Sequence, residues 1–195
     1  SKLKALFIGN CQNGGVKHYL LKSKEFSQNY ETKIYANWEL IENKTAIPMN
    51  DIQCADLFVY QPLRPVHGCY STDPTVHGSI GYYVKDSCVQ ISFPYVYSSA
   101  MWPIVQAKEY ENRWWGGEII DELVYQKMSY EQIISLFLEN KIDWKYKERF
   151  EKSINILKQK ETITDINVSK FIEEKFKDNL LFLIPHRSEE HTSEL

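Results

Sequence analysis

The sequence predicts a layered α/β domain: a mostly parallel central sheet flanked by helices, with a helical C-terminal block and a closing buried strand. Two short, wholly apolar runs, Leu6-Phe7-Ile8 and Leu57-Phe58-Val59, are of the kind buried on both faces of a parallel sheet. Segments with helical spacing separate such runs, and a last apolar run at 180–184 returns after a block of helices. Alternation followed by a returning strand is the pattern of helices packed on a sheet.

Residues 5–8 read as the first strand, stopped by Gly9. Gly14-Gly15 punctuate the chain, and Val16, Tyr19, Leu20 and Phe26 then mark the apolar side of a first helix. Residues 32–36 form a short second strand. Residues 55–60 form a third, running into the turn Gln61-Pro62-Leu63-Arg64-Pro65. From there to Ser87 the chain is rich in Gly, Ser, Thr, Asp, Pro and His, and so long a loop-like insertion points to function or mobility. Residues 88–93 make a fourth strand, halted by Pro94. The aromatic stretch 95–117 has no assignable period. Ser129 with Gln132 is a capping box opening a helix to about Asn140. Asp143 caps a longer helix over 144–160, with Phe150, Ile154 and Leu157 on one face. Asp165 or Asn167 starts another, carrying Val168, Phe171, Ile172 and Phe176. Asn179 is its C-cap, and 180–184 is the closing strand, ending at Pro185-His186.

These elements form one domain over residues 1–186. The tail 187–195 reads as a translated sequencing adapter and is set aside, so His191 counts neither as ligand nor as base. A chain of 195 residues, 43% hydrophobic and 25% charged, fits one soluble domain with a full core. No apolar run approaches the roughly 18–20 residues of a membrane span, and no signal peptide is visible. A formal charge of -3 argues against a nucleic-acid partner. Cys11, Cys54, Cys69 and Cys88 contain no C-x-x-C pair, so a metal site has no support and reduced thiols in the cytoplasm are expected.

Chemistry concentrates at Cys11. A thiol just past a first strand and near a helix N-terminus stands where α/β folds place their reactions, and the helix dipole there favours a thiolate. Asn10, Gln12 and the backbone N–H groups around Gly14 and Gly15 would donate to an oxyanion. Other readings of these residues fail on spacing. A phosphate loop needs Lys and Ser or Thr where Gly15 and Val16 stand, and a cysteine phosphatase needs Arg where Lys17 stands. A nucleophilic cysteine needs a base. His18 reads as a helix-surface residue, and His67 and His77 lie in the polar loop. His186, at the end of a buried strand, is the best placed, and Asp56, Asp73 or Asp165 would orient the histidine. Gln61 and Arg64 follow the third strand, and Arg64 suits a phosphate or carboxylate.

The run Ile8-Gly9-Asn10-Cys11-Gln12 resembles the opening of the WcbI-type capsular polysaccharide biosynthesis family, a group of acetyltransferase-like proteins. The resemblance continues at Asp56-Leu57-Phe58-Val59-Tyr60-Gln61-Pro62 and at Ser92-Phe93-Pro94-Tyr95. It extends to Ser153, Leu157, Glu161, Asp165-Ile166-Asn167-Val168 and Leu181-Phe182, and so spans most of residues 5–186. It implies a cytoplasmic enzyme that binds coenzyme A and moves an acyl group to a hydroxyl of a carbohydrate acceptor. Cys11 would be the catalytic thiol and His186 or His67 its partner, with Asn10, Gln12, Gln61 and Arg64 around the donor. The family's closing strand is followed by His-Pro, whereas here Arg187 follows His186. A thioesterase or carbohydrate esterase using the same cysteine, and a non-catalytic sugar-binding module, are the alternatives.

Overall fold

Two strands with apolar residues on both sides set the architecture. In the computed structural model, which describes residues 1–97, 118–176 and 178, β1 (Leu3–Gly9) alternates Leu6 and Ile8 to one face with Ala5 and Phe7 to the other. The chain continues through α1 (Cys11–Lys22), α2 (Lys24–Asn29), β2 (Tyr30–Ala36), α3 (Asn37–Glu42) and α4 (Met49–Gln53) to β3 (Leu57–Tyr60). A 3-10 segment over Pro65–Tyr70, α5 (Ile80–Tyr83) and β4 (Val89–Ser92) follow. Among the described residues four strands form one parallel sheet, in the order β2-β1-β3-β4. β3 repeats the alternation of β1, with Phe58 on one face and Leu57 and Val59 on the other.

Helices cover both faces, as burial of both requires. Leu40 of α3, Ile52 of α4 and Ile80 of α5 pack with Leu6, Ile8 and Phe58. Val16 and Leu20 of α1 and Phe26 of α2 pack with Ala5, Phe7, Leu57 and Val59. The expected single first helix is thus two. The Ser23 hydroxyl accepts the Phe26 N–H and restarts the chain as α2, while Tyr19, expected on the apolar side, is 71% exposed.

The loop-like stretch after β3 is also more ordered than its composition suggests. Ser71 and Thr72 are buried, and their hydroxyls satisfy the backbone of Leu63: Thr72 Oγ1 accepts the Leu63 N–H at 2.9 Å, and Ser71 Oγ donates to the Leu63 carbonyl at 3.0 Å. Small polar side chains here serve the main chain in place of a sheet partner.

The described residues fall into two compact units. One comprises residues 1–96 with 157–170; the other comprises 97 and 118–156 with 171–176 and 178. The second contains α6 (Glu118–Tyr125), α7 (Tyr130–Leu138) and most of α8 (Tyr146–Lys160), where Phe150 stacks on Phe176 with ring centroids 3.9 Å apart. Ser129 and Gln132 form the expected capping box of α7. The helix expected from Asp165 or Asn167, α9 (Ser169–Lys175), begins later than either. Among the described residues no helix is long and apolar enough to cross a membrane, and no group of three or more His, Cys, Asp or Glu could hold a metal ion. The expected strand at 180–184, the Asn179 cap, His186, the tail 187–195 and residues 98–117 of the aromatic stretch lie outside the described residues.

Candidate functional site

The strand order creates one privileged place on the sheet. From β1 the chain steps to β2 on one side, and later to β3 on the other, which makes the C-terminal ends of β1 and β3 the topological switch point where such sheets bind their ligands. Asn10 and Cys11 leave β1 at that point, and Gln61 leaves β3.

Asn10 starts the site. It is buried, and its Oδ1 accepts the Gln12 N–H at 2.9 Å, making it the N-cap of α1. The helix therefore begins at Cys11 and not after the glycines, so Gly14 and Gly15 lie within its first turns. Cys11 is the first helical residue, exposed and in no disulfide, where the dipole of a twelve-residue helix presents its positive end. Residues three and four positions on share its side of the helix. At Gly14 and Gly15, apart from the adjacent residues and the helix's own backbone, no heavy atom of the described residues stands within 4 Å of where a Cβ would be, which leaves space on that side.

A carboxamide network lies beneath. Gln61 is fully buried; its Oε1 accepts the Asn10 N–H at 2.8 Å, and its Nε2 donates to Gln12 Oε1 at 3.1 Å and the Pro94 carbonyl at 3.3 Å. Gln12 Oε1 also accepts the Val96 N–H at 3.1 Å, and Gln12 Nε2 donates to the Val96 carbonyl. Asn37, at the start of α3, donates through Nδ2 to the Tyr95 hydroxyl at 2.7 Å, which in turn donates to the Gln61 carbonyl at 3.5 Å. Burial pushes the Tyr95 phenol far up, so it stays a neutral donor. Residues 93–96 thus form a strap across the ends of β1 and β3. Two carboxamides carry unpaired atoms: both polar atoms of Asn13 and Oδ1 of Asn37 are buried without a hydrogen-bond partner. Each such atom costs on the order of 1–3 kcal/mol of stability.

Asn10, Cys11, Gln12 and Gln61 are therefore brought together. Arg64 is exposed, just after Leu63 in the segment that follows β3, and its carbonyl accepts the His67 N–H at 3.1 Å. His67 is partly buried, with Nε2 shielded and without a partner. Burial first, and then the charge of Arg64, hold its pKa below the ordinary histidine value, which favours the neutral imidazole a base requires. The other described histidines pack on neighbouring rings, His77 on Tyr82 and His18 on Tyr19. The three candidate orienting carboxylates are engaged with other groups. Asp56 binds Lys85 and the Lys4 N–H at the opposite end of the strands, Asp73 binds Thr75, and Asp165 binds Ser92.

Sequence reading missed Asn13, Asn37 and the strap. Asn37 had a legible signal: it follows the end of β2 as Asn10 follows β1 and Gln61 follows β3. Residues 92–95 carried part of the resemblance, but the strap's role was not legible in them, because the groups that meet Gln12 and Gln61 are backbone groups of Pro94 and Val96.

A family model described as polysaccharide biosynthesis enzyme WcbI matches residues 4–194, a span that takes in all but the last residue of the tail. One solved structure is similar, with a TM-score of 0.72 and 18% identity over 93% of this chain. It is reported as WcbI, a polysaccharide biosynthesis enzyme, in its native form without a disulfide bond between coenzyme A and one of its cysteines. This chain spans 63% of that protein's length. No curated protein matches the chain.

Proposed function

Since the chain belongs to the WcbI family of polysaccharide biosynthesis enzymes, we propose that it transfers an acyl group from coenzyme A to a sugar hydroxyl through Cys11. The observation that carries this reading is an exposed thiol as the first residue of α1, at the switch point between β1 and β3, with two glycines in the same first turns of the helix. The similar solved protein is reported with coenzyme A and a cysteine in one context, which supports a thioester donor.

The residues present fit such a donor. A pantetheine arm is thin, and the uncluttered side of α1 at Gly14 and Gly15 gives it room beside the thiol. Exposed Arg64 offers a cation to the phosphates. The Cys11 thiol gives its proton to a histidine and its sulfur attacks the thioester carbonyl; a new carbon–sulfur bond forms, the old one breaks, and that proton passes from the histidine to the departing coenzyme sulfur. The sugar hydroxyl then attacks the acyl-cysteine, its proton passes to a histidine, and the Cys11 thiolate is released. His67 or His186 is that histidine. Asn10 and Gln12, with the first-turn N–H dipoles of α1, would stabilise the charge that develops on the carbonyl oxygen. Fully buried Gln61 serves by fixing the Asn10 backbone and the Gln12 side chain.

The test is turnover of acetyl-coenzyme A by the full chain with and without a sugar acceptor. Cys11→Ala should lower turnover by roughly 10³-fold or more with the fold intact by circular dichroism. Full activity in that variant refutes the nucleophile. Turnover that ignores the acceptor makes the protein a hydrolase using the same thiol.

A further inference from the structure

We propose that Asp165 is a positioning residue for Cys11, acting through Ser92 and the strap of residues 93–96; this rests on the reading of Cys11 as nucleophile. Asp165 lies 154 positions from Cys11 in sequence, yet two short steps connect them.

The first step is a clamp. Ser92 ends β4 and is buried. Asp165 Oδ2 accepts both its N–H and its Oγ–H, each at 2.8 Å. In return Ser92 Oγ accepts the Asp165 N–H at 3.0 Å, and the Ser92 carbonyl lies 3.1 Å from the Asp165 nitrogen and 3.0 Å from that of Ile166. The segment around Asp165 thus holds the end of β4 much as a neighbouring strand would, and fixes where the chain leaves the sheet. The hydrogen bonds from Ser92 hold the Asp165 carboxyl below the usual carboxylate range, so it stays an acceptor near neutrality.

The second step is the strap itself. Two residues beyond Ser92, the Pro94 carbonyl accepts from Gln61; two further on, Val96 exchanges hydrogen bonds with Gln12 in both directions. Gln12 adjoins Cys11 in the first turn of α1, and Gln61 fixes the N–H of its cap Asn10. Every partner of these two carboxamides supplied by the strap is a backbone group, so their positions depend on where the strap's main chain lies. Pro94 and Tyr95 are buried, and the Tyr95 hydroxyl is tied to Asn37, so a shift at the strap's origin is passed along it and not absorbed within it. Releasing Ser92 from Asp165 loosens the strap at its origin and displaces the carboxamides around the thiol. A misplacement of about 1 Å is enough to cost up to about 100-fold in rate.

The experiment compares Asp165→Ala, Asp165→Asn and Ser92→Ala in the full chain with wild type, using acetyl-coenzyme A turnover well below each variant's melting midpoint. In Asp165→Asn the carboxamide oxygen can accept both Ser92 hydrogen bonds, so this conservative variant should retain turnover within about threefold. Asp165→Ala should lower kcat by about 10- to 100-fold with the KM for acetyl-coenzyme A unchanged, and Ser92→Ala should lower it less. A melting midpoint that falls in Asp165→Ala while kcat stays at the wild-type value overturns the proposal, because the clamp is then structural only. If Asp165→Ala does not fold, Ser92→Ala decides: reduced kcat at unchanged KM supports the proposal, and wild-type kcat overturns it. Cys11→Ala is the parallel control. Its full activity would refute the nucleophile, whereas its inactivity beside an unaffected Asp165→Ala and Ser92→Ala would refute only the positioning role.

Discussion

At the residue scale, Gly9 decides whether the site can close. A Cβ there would stand 2.4 Å from Gln61 Oε1 and 3.0 Å from Asn13 Cβ. Its backbone is not in the left-handed region, so the requirement is space and not conformation. Gln61 cannot swing away, because Asn10, Gln12 and Pro94 hold both ends of its carboxamide. Gly9→Ala should therefore cost about 1–3 kcal/mol by overpacking, a drop of roughly 3–10 °C in the melting midpoint. It should also cut turnover, since the displaced group holds the Asn10 cap. A thermal scan showing wild-type stability would mean that Gln61 relaxes easily. Gly14 and Gly15 present the opposite case, with open space and no positive φ. Each is worse than alanine in a helix by about 1 kcal/mol. With the unpaired Asn13 beside them, the first turns of α1 retain three residues that weaken the fold, as sites of chemistry often do.

At the element scale, Glu161 shows how one side chain organises the return of the chain. Its buried carboxylate accepts the N–H groups of Val168 and Ser169 at 2.6 and 2.7 Å and the Ser169 hydroxyl at 2.5 Å. It caps α9 and closes the loop from which Asp165 reaches Ser92. Glu161→Ala would leave two backbone donors and a hydroxyl without their acceptor, at a cost of about 2–4 kcal/mol. Urea denaturation should show the midpoint falling with little change in slope; an unchanged midpoint would mean that water replaces the carboxylate at no cost. The same element explains what could be read in advance. The Ser129–Gln132 capping box was legible because donor and acceptor lie within one turn. The start of α9 was not. Its capping carboxylate comes from eight residues before Ser169, and the nearer candidate Asp165 is drawn to a strand 73 residues away. Cys11 and Gln61 were likewise legible as residues at strand ends. Their link through Asn10 and Gln12 depended on β3 pairing with β1, which no local pattern states.

At the scale of the whole molecule, two kinds of polar contact hold the segments around the sheet. Carboxamides link the C-terminal ends of β1 and β3, while ion pairs brace other segments of the unit. Asp56 holds Lys85 where β3 begins, and Asp51 of α4 holds Lys33 and Tyr35 of β2. The second brace has a definite pH window. Burial, and then the hydrogen bond and charge of Asp51, raise the Tyr35 pKa to about 12 from 10.0. A phenol with a raised folded pKa contributes stability that is complete below the unfolded value and is lost as pH climbs from there through the folded value. Asp51 is shifted the other way. Its hydrogen bond from Tyr35, ahead of the contributions of Lys33, lowers its pKa, so its share is complete above the ordinary carboxylate range and fades as pH falls below it. The brace is therefore intact from about pH 5 to pH 9 and fails at both ends. Urea midpoints of wild type and Tyr35→Phe across this range should show a constant gap in the middle that shrinks between pH 10 and 12. A gap that stays constant to pH 12 would show that Tyr35 ionises at the same pH in the folded and unfolded chain, and that α4 is held to β2 by packing and the Lys33–Asp51 pair without help from the phenol.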